Sequence, residues 1–198
     1  MDHFAGQAAP ASGQPTILLC SASFAVGYSG QAKEPLWSAE HLIEEDIAEA
    51  QSLQGRAVFH EDLRIPPAAR SELYDYKRSG WSRGHLAPSG DAPTREARAE
   101  TFALSNIVPQ DAGLNSGPWN RIESNIRHIT EREGELYVVT GPAFVDDLGA
   151  IGPDRVAVPS SLWKVRSIGV RGLMEHCFDH RGGEDQNASD SLHSNHFW

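Results

Sequence analysis

The sequence predicts an α+β domain. Short apolar runs bounded by Gly, Pro and Ser read as strands, other segments carry helical spacing, and the two kinds do not alternate in a regular βαβ rhythm. At 198 residues the chain suits one domain with tails, and its 39% hydrophobic and 22% charged content is ordinary for a globular chain. No stretch approaches the run of ~18 apolar residues that spans a membrane, so no membrane insertion is expected.

Residues 1–14 are small and polar with Pro and Gly, and read as a flexible arm. Thr16–Cys20 and Phe24–Tyr28 read as strands joined by a short turn. Ser21, Ser23 and Gly27 interrupt this apolar stretch and no basic segment precedes it, so it does not read as a signal peptide; export stays open. Leu36–Ile43 suits a strand and Asp46–Leu53 a short helix. Ile65-Pro66-Pro67 breaks regular structure, and Ala68–Tyr76 suits a short helix. Thr94 is the expected N-cap of a helix reaching Phe102, with Ala97 where a capping-box Glu would stand. Asn115 or Ser116 is the expected cap of the clearest helix, with Pro118 in its first turn. Along it Trp119, Ile122, Ile126 and Ile129 form one stripe at helical spacing, and Gly134 ends it. Leu136–Thr140 reads as a buried strand stopped by Gly141-Pro142. Val156–Val158 and Leu162–Val165 follow as strands. After about Phe178 the composition turns polar, and residues 167–198 are expected to be an atypical, disordered tail.

The net charge of −10 argues against a stable nucleic-acid binder, but the charge is uneven. Residues 55–98 carry eight Lys/Arg against six Asp/Glu, whereas residues 1–54 carry one against seven. An enzyme that releases its product can work with such a local cationic site. Two cysteines, Cys20 and Cys177, exclude a thiolate zinc cluster and leave open one disulfide or two separate thiols.

Several residue groups compete for the chemistry. His193-Ser194-Asn195-His196 sits in low-complexity sequence with no helix to fix it. Asp62 with Asp75 and Lys77 fits a two-carboxylate-plus-lysine pattern that arises often by chance. Ser160-Ser161 and Ser21/Ser23 lack the Gly-X-Ser-X-Gly elbow of a serine hydrolase. The strongest segment is Trp81-Ser82-Arg83-Gly84-His85-Leu86-Ala87-Pro88. In an extended strand Arg83 and His85 project to one side, pairing a general base with a fixed cation, and Gly84 would let a bulky substrate approach. Leu104–Gln110 and Leu114–Trp119 follow. On the helix beyond, Asn115, Glu123 and Arg127 fall near one edge by their spacing of eight and four.

Together these segments resemble the DNA/RNA non-specific endonuclease family, whose signature is Asp-Arg-Gly-His, then Asn-(Ile/Val)-X-Pro-Gln, then Leu-Asn-X-X-X-Trp with Glu and Arg on the following helix. Arg56 with Phe59 and Asp62, Asp75-Tyr76, Tyr137–Pro142 and Val158–Lys164 extend the similarity over roughly residues 16–165. The resemblance implies a ββα-metal (His-Me finger) nuclease fold, with a central, mostly antiparallel sheet flanked by helices, over a domain of residues 15–166. It implies hydrolysis of phosphodiester bonds in DNA and RNA, with His85 as general base and Asn115 as the direct ligand of Mg²⁺, for which Mn²⁺ could substitute. Glu123 would orient metal-bound waters, Asn106 would hold neighbouring groups, and Arg83, Arg56 and Arg127 would bind phosphate. A homodimer and an inhibitor protein belong to the same set of expectations, and members are commonly exported or organellar.

Two departures qualify it. The family's Asp is Ser82 here, so activity is expected to be reduced or altered, and Ser82→Asp to raise it together with the His85 pKa. Residues 166–198 do not look like the family's further sheet and closing helix, as if frameshifted or truncated. The alternative reading is a catalytically weakened homologue that binds nucleic acid or a partner.

Overall fold

The computed structural model describes residues 15–168 and 171–179. The expected arm (1–14) and the His193–His196 cluster lie outside the described residues.

The centre is a six-stranded antiparallel sheet in the order β1-β2-β3-β6-β9-β10. Its strands are β1 (Ile17–Cys20), β2 (Phe24–Ser29), β3 (Glu34–Ile43), β6 (Glu135–Ala143), β9 (Ser161–Ile168) and β10 (Arg171–Asp179). Two small hairpins stand apart from it: β4 (Ser82–His85) with β5 (Ile107–Gln110), and β7 (Ala150–Ile151) with β8 (Val156–Ala157). β1, β2, β3 and β9 cover the segments where strands are expected. β10 corrects one expectation: the backbone of Arg171–Asp179 pairs along β9, where a structureless tail was anticipated. Residues 180–198 lie outside the described residues. β1 and β10 are opposite edges of the sheet, so Cys20 and Cys177 stand about 24 Å apart at ordinary strand spacing, too far for an intramolecular disulfide.

Gly141-Pro142 does not stop β6. The strand runs on to Ala143, and Gly141 faces Trp163 in register. A Cβ at Gly141 would lie 2.4 Å from the Trp163 ring, so the glycine is a notch for the indole. Gly27 does the same for Trp37 on the neighbouring strand pair, at 2.3 Å. Pro142 is tolerated because β6 pairs with β3 only as far as Thr140; beyond it β9 is the one partner. These indoles pack with Ala25, Ala39 and Val139 on one face of the sheet.

Helices cover the other face. α1 (Glu44–Ser52) and α5 (Asn120–Glu133) bury Ile47, Ile126 and Ile129 against Leu42, Leu136 and Val138, with Ile122 at the margin. Of the expected stripe, Trp119, Ile126 and Ile129 are buried. α2 shrinks to Leu73–Tyr76, because its cap is Glu72 and the Pro66-Pro67 segment forms turns instead. α3 (Arg95–Thr101) opens as expected, with Thr94 Oγ1 accepting from Ala97 N at 3.1 Å.

The long helix starts earlier than expected. Asp111 is its cap, accepting from Leu114 N at 2.8 Å, so Asn115 and Ser116 lie inside the helical run. The run is α4 (Ala112–Leu114), a π-helical turn (Asn115–Trp119), then α5. Pro118 sits within the π turn, whose wider spacing accommodates a residue that has no N–H to donate. Gly134, at φ +85°, ends α5.

Candidate active site

The β4–β5 hairpin carries the base. Its register sets Ser82 against Gln110 and His85 against Ile107. Alternation puts Ser82 and Gly84 on one face and Arg83 and His85 on the other. On the first face, a Cβ at Gly84 would meet Gln110 Oε1 at 2.0 Å. Gly84 therefore makes room for the buried Gln110 side chain, not for substrate as expected. A carboxylate replacing Ser82 would enter opposite Gln110, at the margin of the groove that His85 lines.

Just past the hairpin, Asn106 is fully buried and all of its amide is used. Its Oδ1 accepts from Ala87 N (3.0 Å), and its Nδ2 donates to Ala87 O and Thr101 O (both 2.9 Å). Leu86 N donates to Asn106 O at 3.0 Å. Asn106 thus fastens the two residues after His85 without lining the groove.

His85 lies between two phenyl rings, Phe59 at 5.4 Å and Phe102 at 4.8 Å between centroids, the latter edge-on. Its Nε2 is buried and meets no hydrogen-bond partner among the described residues. Desolvation, with a smaller contribution from the positive charge of Arg56, pushes its pKa down to about 4. The imidazole is therefore neutral at neutral pH, as a proton acceptor must be. Arg83 extends over the Phe59 ring at 5.1 Å and the Tyr76 ring at 5.7 Å, which helps hold its guanidinium in the groove.

Two connected chambers meet at His85, Ser89, Gly90 and Asn115. The larger, about 570 Å³, is lined also by Arg56, Phe59, Trp81, Ser82, Arg83 and Arg98. The smaller, about 230 Å³, adds Asn120, Glu123 and Arg127. The expected residues His85, Arg83, Arg56, Asn115, Glu123 and Arg127 thus share one groove, with Asn106 behind it. Burial, helped by Asp91, pushes the Glu123 carboxyl up to about 7, against the opposing charges of Lys164 and Arg127. Arg127 Nη1 donates to the buried Asp91 at 2.7 Å, and its Nη2 to Ser124 Oγ at 3.1 Å, which aims it at the smaller chamber.

The rival candidates have structural work elsewhere. Asp62 accepts from Arg64 (2.6 Å) and Ser105 (2.6 Å). Asp75 accepts from Glu72 N (2.9 Å) and Asp154 N (3.0 Å), and Lys77 is exposed. Ser160 Oγ accepts from Val145 N (2.9 Å) and donates to Ala143 O (3.1 Å). Sequence reasoning missed Glu40, Asp91 and Lys164, a buried charged layer under the groove. One signal was available for Lys164, a charge inside the otherwise apolar stretch Leu162–Val165 of β9.

The groove, the hairpin–helix arrangement around it and the antiparallel sheet define a ββα-metal nuclease fold. The chain belongs to the DNA/RNA non-specific endonuclease family, whose model matches residues 3–168. Among similar proteins, the Homo sapiens nuclease EXOG, mitochondrial, is 41% identical over 157 residues, covering 74% of this chain and 42% of that protein. Bos taurus endonuclease G, mitochondrial, is 33% identical over 162 residues, covering 76% and 54%. The chain spans about half the length of these curated relatives, or less. A chain in the crystal structure of the EndoG/EndoGI complex superposes with a TM-score of 0.71 at 30% identity, covering 83% of this chain and 74% of its own length. No helix among the described residues is long and apolar enough to cross a membrane.

Proposed function

We propose that this chain is a metal-dependent, sugar-non-specific endonuclease that hydrolyses phosphodiester bonds in DNA and RNA. The observation that carries the reading is the meeting of a neutral, desolvated His85 with Arg83, Asn115, Glu123 and Arg127 around one groove. His85 takes the proton of the attacking water. Arg83, Arg56 and Arg127 hold the phosphate and offset charge as it develops. Contacts limited to phosphate and sugar account for the absence of base preference.

The donor set suits magnesium. Among the described residues no three His, Cys, Asp or Glu side chains gather as metal ligands, and the smaller chamber offers the amides of Asn115 and Asn120 and the one carboxylate of Glu123. Asn115 would hold the ion directly and Glu123 would orient its waters, leaving most positions to water, as magnesium favours. When bound, the ion supplies charge stabilisation at the scissile phosphate and leaving oxygen. Manganese takes similar oxygen donors and would substitute. An inhibitor protein is the partner class supported by the likeness to a chain of the EndoG/EndoGI complex. A homodimer is the second partner proposed, and sedimentation velocity reads it directly.

The test is His85→Ala on plasmid DNA and on RNA with magnesium, with and without chelator. Turnover should fall on the order of 10²–10⁴-fold on both substrates with the circular dichroism spectrum unchanged. Near-wild-type cleavage by the folded variant would remove the proposal.

A further inference from the structure

We infer that Lys164 is a positioning residue for the reaction proposed above: a fixed ammonium beneath the groove that ties together the base strand, the metal-ligand turn and the central sheet. The inference rests on that nuclease reading. Lys164 lies on β9 opposite Thr140 and is only 2% exposed. Removing an ammonium from water is costly unless it is well paired. Yet the contacts here are with uncharged groups. Nζ donates to Thr140 Oγ1 at 2.6 Å and to Leu86 O at 3.3 Å, and it lies 5.5 Å from the centre of the Trp119 ring. No ion pair of the described residues includes it.

A packing role would be filled as well by an unbranched apolar side chain of similar volume, with no charge to desolvate. The contacts converge on the site instead. Leu86 follows His85 directly, and its N–H is held by Asn106 O at 3.0 Å, so Lys164 holds the carbonyl of a residue whose amide is already fixed. Trp119 closes the π turn that opens at Asn115. Glu123 lies one turn further on, and the Lys164 charge acts on its carboxyl and on the buried carboxyls of Glu40 and Asp91. One rigid cation thus sets the height of His85 and the placement of Asn115 and Glu123 relative to the same sheet strand.

The test compares Lys164→Met, Lys164→Arg and Thr140→Val with wild type and His85→Ala on a fluorogenic oligonucleotide. kcat and KM are measured separately, and thermal midpoints are recorded. Cleavage by wild type that His85→Ala abolishes establishes the nuclease reading independently; if wild type does not cleave, that reading fails first. Given cleavage, Lys164→Met should lower kcat on the order of 10–100-fold with KM nearly unchanged, because misplacement of catalytic groups costs turnover more than binding. Its thermal midpoint shows whether the enzyme assayed is folded, and Lys164→Arg should recover part of the lost kcat. Thr140→Val keeps the ammonium but removes one acceptor, so it should lower kcat by a smaller factor. A folded Lys164→Met enzyme with wild-type kcat overturns the inference, as does a loss carried by KM alone. Should Lys164→Met fail to fold, Thr140→Val decides: a lowered kcat at unchanged KM supports the role, and an unchanged kcat overturns it.

Discussion

Replacing Phe59 by Ala should make the enzyme selectively weak in acid. Burial is the main reason the His85 pKa lies at about 4 instead of 6.5, and the Phe59 and Phe102 rings are part of the shell that buries it. A general base works only when neutral, so cleavage is lost as pH falls through its pKa. At pH 5 a histidine of pKa 6.5 is only ~3% neutral, whereas one at about 4 is ~90% neutral. Full loss of shielding would therefore remove about 30-fold of the available base at pH 5 and almost none at pH 8. Phe102 remains in the variant, so a partial return is expected; recovery to a pKa of ~5.5 gives about 4-fold. The assay is kcat/KM on a fluorogenic oligonucleotide at pH 5 and pH 8, for wild type and Phe59→Ala. The quantity read is the variant's pH 5 to pH 8 ratio divided by that of wild type. Any limb due to Glu123 is common to both proteins and cancels. The expected quotient lies between about 1/4 and 1/30. A quotient near one, or a wild-type limb governed by a base at 6.5, would refute the view that the phenyl rings set the basicity of His85.

Three further outcomes follow from the same geometry. Glu123 is held at about 7, above its unfolded 4.5, so it contributes stability below pH 4.5 that is lost as pH rises through 7. Glu123→Gln should accordingly raise the thermal midpoint at pH 8 but not at pH 4, while lowering cleavage; equal midpoint shifts at both values would contradict this. Asn115→Ala should weaken magnesium binding in calorimetry and shift the magnesium dependence of cleavage together, and an unchanged isotherm would leave Asn115 a mere turn residue. Asp91→Ala strands the guanidinium of Arg127 and should cost about 3–5 kcal/mol in urea denaturation, as expected for a broken buried pair, and a cost under 1 kcal/mol would show the pair to be solvated.

The sequence made most of the site legible because short-range pattern carries it. Arg83 and His85 alternate on one strand, and the segments from Leu104 and Leu114 bring Asn106, Asn115 and Glu123 in one after the other. The missing parts depend on distance in space. Asp91 looks like a loop acid until Arg127, 36 residues on, is seen against it. Gly84 suggested room for substrate because glycine has several uses, and only the packing of Gln110 shows which one applies. The helix cap was misplaced for a related reason. Asn, Ser and Asp all make good caps, and Asn115 and Ser116 stood next to the apolar stripe, so local preference pointed past Asp111. The strand at Arg171–Asp179 was hidden by its composition, since an edge strand can form from mixed residues once β9 offers a full row of partners.

The π turn at Asn115–Trp119 has a consequence for how this helix can change by insertion or deletion. Each residue of an α-helix turns the chain by about 100°, so eight residues at regular spacing would leave Asn115 about 80° out of phase with Glu123, and the wider π turn takes up that excess. Asn115 stands at the front of the turn and Glu123 behind it, with Trp119 locked in the core between them. Rewinding the turn to regular α spacing at unchanged length would keep every named side chain in the protein and still swing Asn115 out of phase with Glu123, whereas a deletion of Gly117 that restored α spacing would leave the two within about 20° of one face. The stretch therefore acts as a phase corrector: its wider winding sets whether the amide and the carboxylate face the same chamber.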